Sequence, residues 1–364
     1  MWYLNNVVNP HSTWETSEQF DLGIDAAFLN NRLSVALDYY NKRTYNLIQT
    51  QSMNWPGYLG ISAQLVNMGE VRNRGFEAQV TWSDKVNKDW SYFVTGNLAY
   101  NANKVTDIGV KSSTGEAGVW TGGGGFRNIP YVYQTTEGEP LGSFYLINCL
   151  GIFQSDAEAE AYTKDGNRIQ PNAKAGDLKF EDFNNDGVID SKDRQYMGNA
   201  TPEWTYALTA GFTWKDLSVS AMFQGVGGAQ AFYAGKYMLV SDVEGNFNRS
   251  TDILNAWSET NKGSDIPRLS KNDLNSNFSN PSTWYLEDAD YLRMKNLTVT
   301  YDLTRIMRKC AHLGMRNSNL SVYFSGENLF TITNYSGMDP ECGGWDALKY
   351  PVSKVYSFGV KLTY

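Results

Sequence analysis

Two residue types that build most reactive centres are nearly missing from this chain: of 364 residues, 2 are His and 3 are Cys. His11 and His312 stand far apart, and Cys149, Cys310 and Cys342 never form a Cys-x-x-Cys pair, so a zinc centre of imidazoles or thiolates lacks ligands. At most one disulfide and a leftover thiol are possible, and all three cysteines read as structural. Long apolar runs are missing too, and nothing approaches the roughly eighteen consecutive apolar residues of a membrane-spanning helix. Basic residues are outnumbered, 31 against 39 acidic, for a net charge of −8. With no block of Lys or Arg, the charge footprint of a nucleic-acid partner or an anionic-lipid anchor is absent. The opening Met1-Trp2-Tyr3-Leu4-Asn5-Asn6 has neither the basic nor the apolar region of a secretion signal, which points to a cytosolic protein or to a beginning that is missing. The glycine runs 122–125 and 225–228 lack phosphate-binding spacing, and no nucleophile elbow occurs. No catalytic residues stand out, and the chain is not expected to be an enzyme.

What is abundant is aromatic and glycine content: 14% Phe, Trp and Tyr, with 11 Trp and 33 Gly. Much of it falls into a period of two. Phe20, Leu22, Ile24, Ala26 and Phe28 alternate with Gln19, Asp21, Gly23 and Asp25, and after Asn30-Asn31 the pattern resumes as Leu33, Val35, Leu37 and Tyr39. That is a hairpin with one apolar face. Phe76 to Trp82 and Tyr92 to Tyr100 predict a second, and Trp204 to Trp214 and Leu217 to Phe223 a third. Segments 291–301, 320–330 and 352–364 add strands, and two weaker ones are predicted around Glu137-Gly138-Glu139-Pro140. The polar faces carry Ser, Thr, Asn, Gly and Gln.

Strands near eleven residues match a tilted crossing of a bilayer, roughly 9 to 11. Turns near 30, 86, 138 and 215 are short, whereas 46–70, 105–130, 151–200 and 228–285 are long and polar. This is the asymmetry of an outer-membrane barrel, with short periplasmic turns and long extracellular loops. Trp82, Trp90, Trp204 and Trp214 sit at strand ends, where an aromatic girdle belongs. The expected fold is all-β, an antiparallel transmembrane β-barrel segment over residues 1–364, with outer-membrane lipid against its apolar face. A soluble sandwich is the competing architecture, because it too alternates. The predicted strands number about eleven, and an odd set cannot close by itself, so it reads as part of about 22.

One segment carries site chemistry. In the stretch 182–193, oxygen donors Asp182, Asn184, Asp186, Asp190 and Asp193 fall at loop positions one, three, five, nine and twelve. Gly187 sits at the sharp turn and Val188 offers a carbonyl. This is calcium-loop spacing; Mg²⁺ suits it less well. Asp193 replaces the usual bidentate Glu, as in dockerin-type loops, and no paired helices flank the segment. The expected role is rigidity within the insertion at 151–200. Aromatic residues of the long loops, Trp120, Tyr131, Trp257, Trp284 and Trp345 among them, are candidates for stacking on sugar rings or peptides.

Several motifs also resemble a known family. Trp14-Glu15-Thr16-Ser17-Glu18-Gln19-Phe20-Asp21-Leu22-Gly23-Ile24-Asp25, Asn67-Met68-Gly69-Glu70-Val71-Arg72-Asn73-Arg74-Gly75-Phe76-Glu77, and Tyr291-Leu292-Arg293-Met294-Lys295-Asn296-Leu297 resemble the C-terminal half of the barrel in SusC/RagA-type TonB-dependent transporters. So do Gly138-Glu139-Pro140-Leu141-Gly142-Ser143-Phe144-Tyr145, Gly176-Asp177-Leu178-Lys179-Phe180, Glu327-Asn328-Leu329-Phe330-Thr331 and Gly337-Met338-Asp339-Pro340-Glu341. The resemblance implies an importer of the Bacteroidota outer membrane for oligosaccharides or peptides. It implies a SusD-type surface lipoprotein as lid and a TonB–ExbB–ExbD complex that moves a plug domain. Signal peptide, plug and the first barrel half have no counterpart here, and Tyr364 ends the chain where Phe is commoner. The alternative is a calcium-stabilised surface β protein that binds carbohydrate without transporting it.

Overall fold

A computed structural model describes residues 9–52, 63–109, 120–122, 125–243, 245, 247–309 and 319–363. Nine long strands dominate it: β1 Thr16–Phe28, β2 Leu33–Tyr45, β3 Glu70–Lys85, β4 Trp90–Asp107, β5 Trp204–Trp214, β6 Leu217–Gly227, β7 Tyr291–Asp302, β8 Asn319–Thr333 and β9 Val355–Thr363. They form one antiparallel sheet in which each strand pairs with its neighbours in sequence. The antiparallel wall expected from the alternation is therefore present.

Register places every apolar stripe on the same side. Ala26, Val35, Val80, Gly96, Leu208, Phe223, Met294 and Phe330 stand in one cross-strand row. Bulges in β6–β7 and β7–β8 keep the last strands in phase. This side is open: Phe20 is 59% exposed, Val80 43%, Leu208 47% and Phe358 81%. A sandwich would stack these residues against a second sheet. The polar side is knitted by hydrogen bonds such as Tyr40 Oη to Asn101 Oδ1 at 2.9 Å and Asn103 Nδ2 to Asn73 Oδ1 at 2.7 Å.

Aromatic residues gather at both ends of the strands. At one end Phe76, Tyr100 and Trp204 pack together. At the other, Trp90 stacks on Phe212 with centroids 5.2 Å apart, and Trp82 Nε1 donates to Tyr92 Oη. The hairpins at this second end are tight because their residues accept left-handed backbone: Asn30 and Asn31 have φ of 54° and 64°, and Lys215 55°.

Two expectations change. Residues 133–135 and 143–147 are not wall strands. They join Trp120–Gly122 and Arg194–Tyr196 in a separate small sheet, and β4 pairs directly with β5. The physical reason lies in burial: Ser143, Phe144, Leu146 and Ile147 are all buried, so both faces of that strand are covered and it presents no stripe. The wall thus has nine described strands where about eleven were expected, still an odd set. The insertion placed at 151–200 belongs to one longer connection, 108–203, and the turn at 138 lies inside it.

The core lies outside the sheet. Connections 108–203, 228–290 and 334–354 all leave the same end of the strands and fold on one another. Ile129, Val132, Phe144, Leu146, Phe232, Tyr237, Phe278 and Tyr285 form their main buried cluster. Single parallel bridges, Ile147 to Ser282 and Phe232 to Trp345, join the three segments.

Candidate functional site

The polar side of the wall is the first candidate surface. Asp38, Glu77, Gln79, Asn97 and Gln224 converge on a hollow of about 330 Å³ between β2 and β6. Hydrogen-bonding groups lining such a face suit water and polar solutes. Above it, the connection between β8 and β9 is clasped to the wall. Arg293, 2% exposed, bonds Asp339 at 2.5 Å, Glu341 at 2.7 Å and the Thr331 hydroxyl at 2.9 Å. Burial opposes ionisation of Asp339, but the backbone N–H groups of Glu341 and Val352 and the Arg293 guanidinium outweigh it and hold that carboxyl below its ordinary value.

The acidic loop is wound as its spacing predicts. Asp182 accepts the backbone N–H groups of Asp186 (3.0 Å) and Gly187 (2.8 Å), and Asn184 and Asp186 each accept the N–H two residues on. Asn185 and Gly187 take positive φ, 58° and 88°. Leu178–Phe180 before the loop and Arg194–Tyr196 after it are strands, so no helix pair flanks it. Asp193 is fully buried and accepts from Phe183, Asn184 and Asp190, closing the loop end to end. Asp186 is held below its ordinary value by the Asn184 amide, the Val188 N–H and Lys192. Among the described residues no three acidic, His or Cys side chains converge on one point. The donors are hard oxygens of the right type for Ca²⁺, but Asp193 is already engaged by three backbone groups.

The predicted aromatic contacts fall in different places. Trp120 lies in a strand at the border of the described residues, and its side chain is outside them. Tyr131 is 62% exposed. Trp257 is 8% exposed, donates to Gln154 and lies over Gly176, where a Cβ would come within 2.4 Å of its ring. Trp345 stacks on Phe232 at 5.4 Å and 5°. Trp257 and Trp345 therefore serve the packing of the loop layer. Cys149 and Cys342 are free thiols, both pushed up by burial, and Cys310 lies outside the described residues.

Trp284 is different: it lines a cleft of about 580 Å³ together with Tyr233, Lys236, Asp252, Asp265, Glu287 and Asp288. The Lys236 ammonium bonds Glu287 at 2.6 Å, caps the Trp284 carbonyl at 3.0 Å and sits 5.2 Å from the Trp284 ring centroid. The Trp284 indole N–H donates to the Asp265 carbonyl at 2.8 Å. Burial, then the nearby Asp346, Glu287 and Asp252, push the Tyr233 phenol up to about 12, so it stays protonated at neutral pH. Sequence reasoning found only Trp284 of this group. The Arg293 clasp was equally hidden, because its partners lie far along the chain and no local pattern links them.

A family model described as TonB dependent receptor-like, beta-barrel matches residues 3–329. TonB-dependent receptor P3 of Formosa agariphila is 29% identical over 99% of this chain and 35% of its own length. TonB-dependent receptor SusC of Bacteroides thetaiotaomicron is 25% identical over 98% of the chain and 32% of its own. The structure of the RagAB peptide transporter superposes with a TM-score of 0.75 at 28% identity, covering 97% of this chain and 36% of that one. The chain spans about a third of the length of the curated relatives it matches.

Proposed function

The chain belongs to the TonB-dependent receptor β-barrel family, matched over residues 3–329, and we propose that it forms wall and external loop layer of a SusC/RagA-type importer in an outer membrane. The observation that carries this reading is the one-sided sheet. Its apolar rows are open and banded by aromatic residues, and its other side is lined with hydrogen-bonding groups. Such a sheet is stable when hydrocarbon meets one side and water the other. The short hairpins then face the periplasm and the folded loop layer faces outward. The cargo is an oligosaccharide or a peptide, the latter supported by the likeness to the RagAB peptide transporter. A SusD-type lipoprotein would lid the loop layer, and a TonB–ExbB–ExbD complex would act through a plug held by the complete receptor. We also assign the 182–193 loop a Ca²⁺ ion, held by Asp182, Asn184, Asp186 and the Val188 carbonyl, with Asp190 and Asp193 shaping the loop behind it.

Membrane fractionation and uptake test the import reading together. The protein should sediment with the outer membrane, and its deletion should abolish energy-dependent uptake of one oligosaccharide or peptide pool. Recovery in the soluble fraction, or unchanged uptake across both solute classes, refutes it.

A further inference from the structure

We infer that the cleft beneath Trp284 is a binding site for a cationic group, such as the lysine or arginine side chain of a peptide cargo. This rests on the import reading and specifies the class of solute that the loop layer admits. The cleft falls in the ordinary size range of small-ligand sites, about 300 to 1,000 Å³.

Two features define what it takes. Tyr233 is 6% exposed and lines the cleft, yet its hydroxyl has no hydrogen-bond partner among the described residues. The ring is packed away while the hydroxyl opens on the cleft with no protein partner, so it is free to bond a ligand that enters. The cleft is also acidic beyond its own needs. Lys236 is neutralised by Glu287, which also accepts from the Ser336 N–H and hydroxyl. Asp252, Asp265 and Asp288 are exposed and form no ion pair among the described residues. Three unbalanced carboxylates around a partly enclosed wall concentrate a cation and repel an anion.

A neutral sugar is a poorer fit, because its usual platform is occupied. The Trp284 ring already carries the Lys236 ammonium and meets Tyr285 and Phe278 edge-on. Recognition therefore falls to the Tyr233 hydroxyl oxygen and the carboxylates, which are acceptors for N–H donors.

The test is calorimetric titration of the full-length protein, purified from outer membranes in detergent, with three probes: a pentapeptide of alternating glycine and lysine, its glutamate counterpart, and maltopentaose. The lysine peptide should bind, lose affinity as salt rises, and bind at least about tenfold more weakly to the triple variant D252N/D265N/D288N. Y233F should weaken it about three- to tenfold. All three carboxylates are exposed, so the triple variant should keep its unfolding midpoint. Failure of the lysine peptide to bind, equal binding of maltopentaose, or wild-type affinity in the triple variant overturns the assignment. The import reading would stand through any of these results, since fractionation and uptake decide it separately.

Discussion

Replacing Leu208 by Arg tests which solvent meets the apolar rows. Leu208 lies on β5 between Trp204 and Trp214, flanked by Gly96 and Phe223. At about 3.4 Å per residue and a tilt near 40°, those two tryptophans are roughly 25 Å apart along the membrane normal, the height of a barrel's apolar band. Leu208 then sits roughly 10 Å from one girdle and 15 Å from the other, close to the midplane. An Arg there costs about 2 to 4 kcal/mol, a factor of about 30 to 700 in the folding equilibrium. Asn97 supplies the control, because it faces the hollow beside Asp38 and Glu77 on the other side of the wall. Asn97→Arg should cost under about 0.5 kcal/mol, since the new charge stays hydrated near two carboxylates. Urea unfolding of the full-length protein in phosphatidylcholine vesicles, followed by tryptophan fluorescence, measures both. Equal and small effects of L208R and N97R would refute the lipid-facing assignment.

Two further outcomes follow from the loop layer. Arg293→Met should destabilise the 334–354 connection by about 3 kcal/mol or more, because Asp339 and Glu341 lose their buried partner; hydrogen exchange in that connection would report it, and unchanged protection contradicts it. The same clasp sets a pH dependence. Asp339 has a folded pKa below its unfolded value of about 3.9, so its stabilisation is complete above that value and is lost as pH falls through the lower, folded one. Protection of 334–354 in the wild type should therefore hold at neutral pH and decline only in strong acid, whereas R293M should lack it throughout. For the acidic loop, Ca²⁺ should protect 177–195 from protease and Asp182→Ala with Asp186→Ala should remove that protection. An identical digestion pattern with metal and with chelator would eliminate the ion.

The clasp at Arg293 and the hydrogen-bonded closure of the acidic loop add polar ties to a loop layer outside the sheet that already holds the main buried cluster. Buried Arg293 of the wall is matched by Asp339 and Glu341 of the 334–354 connection, and buried Asp193 by backbone N–H groups of its own loop.

The wall was determined by local sequence. A period of two assigns each residue to a side whatever the rest of the chain does, and residues that tolerate positive φ, such as Asn30, Asn31 and Lys215, fix the hairpins and hence the register. The winding of the 182–193 loop was legible for the same reason: its hydrogen bonds run between residues a few positions apart. Tertiary structure decided what depends on distant partners. Residues 133–147 carried a weak alternation, and burial on both faces by three separate connections took them out of the wall. Tertiary packing sets Trp257 over Gly176 and Trp345 on Phe232, and the pairing of residues 230–232 with 286–288 brings Tyr233, Lys236 and Glu287 to one cleft. Side-chain burial is a property of the whole packed layer, so no window of sequence contains it.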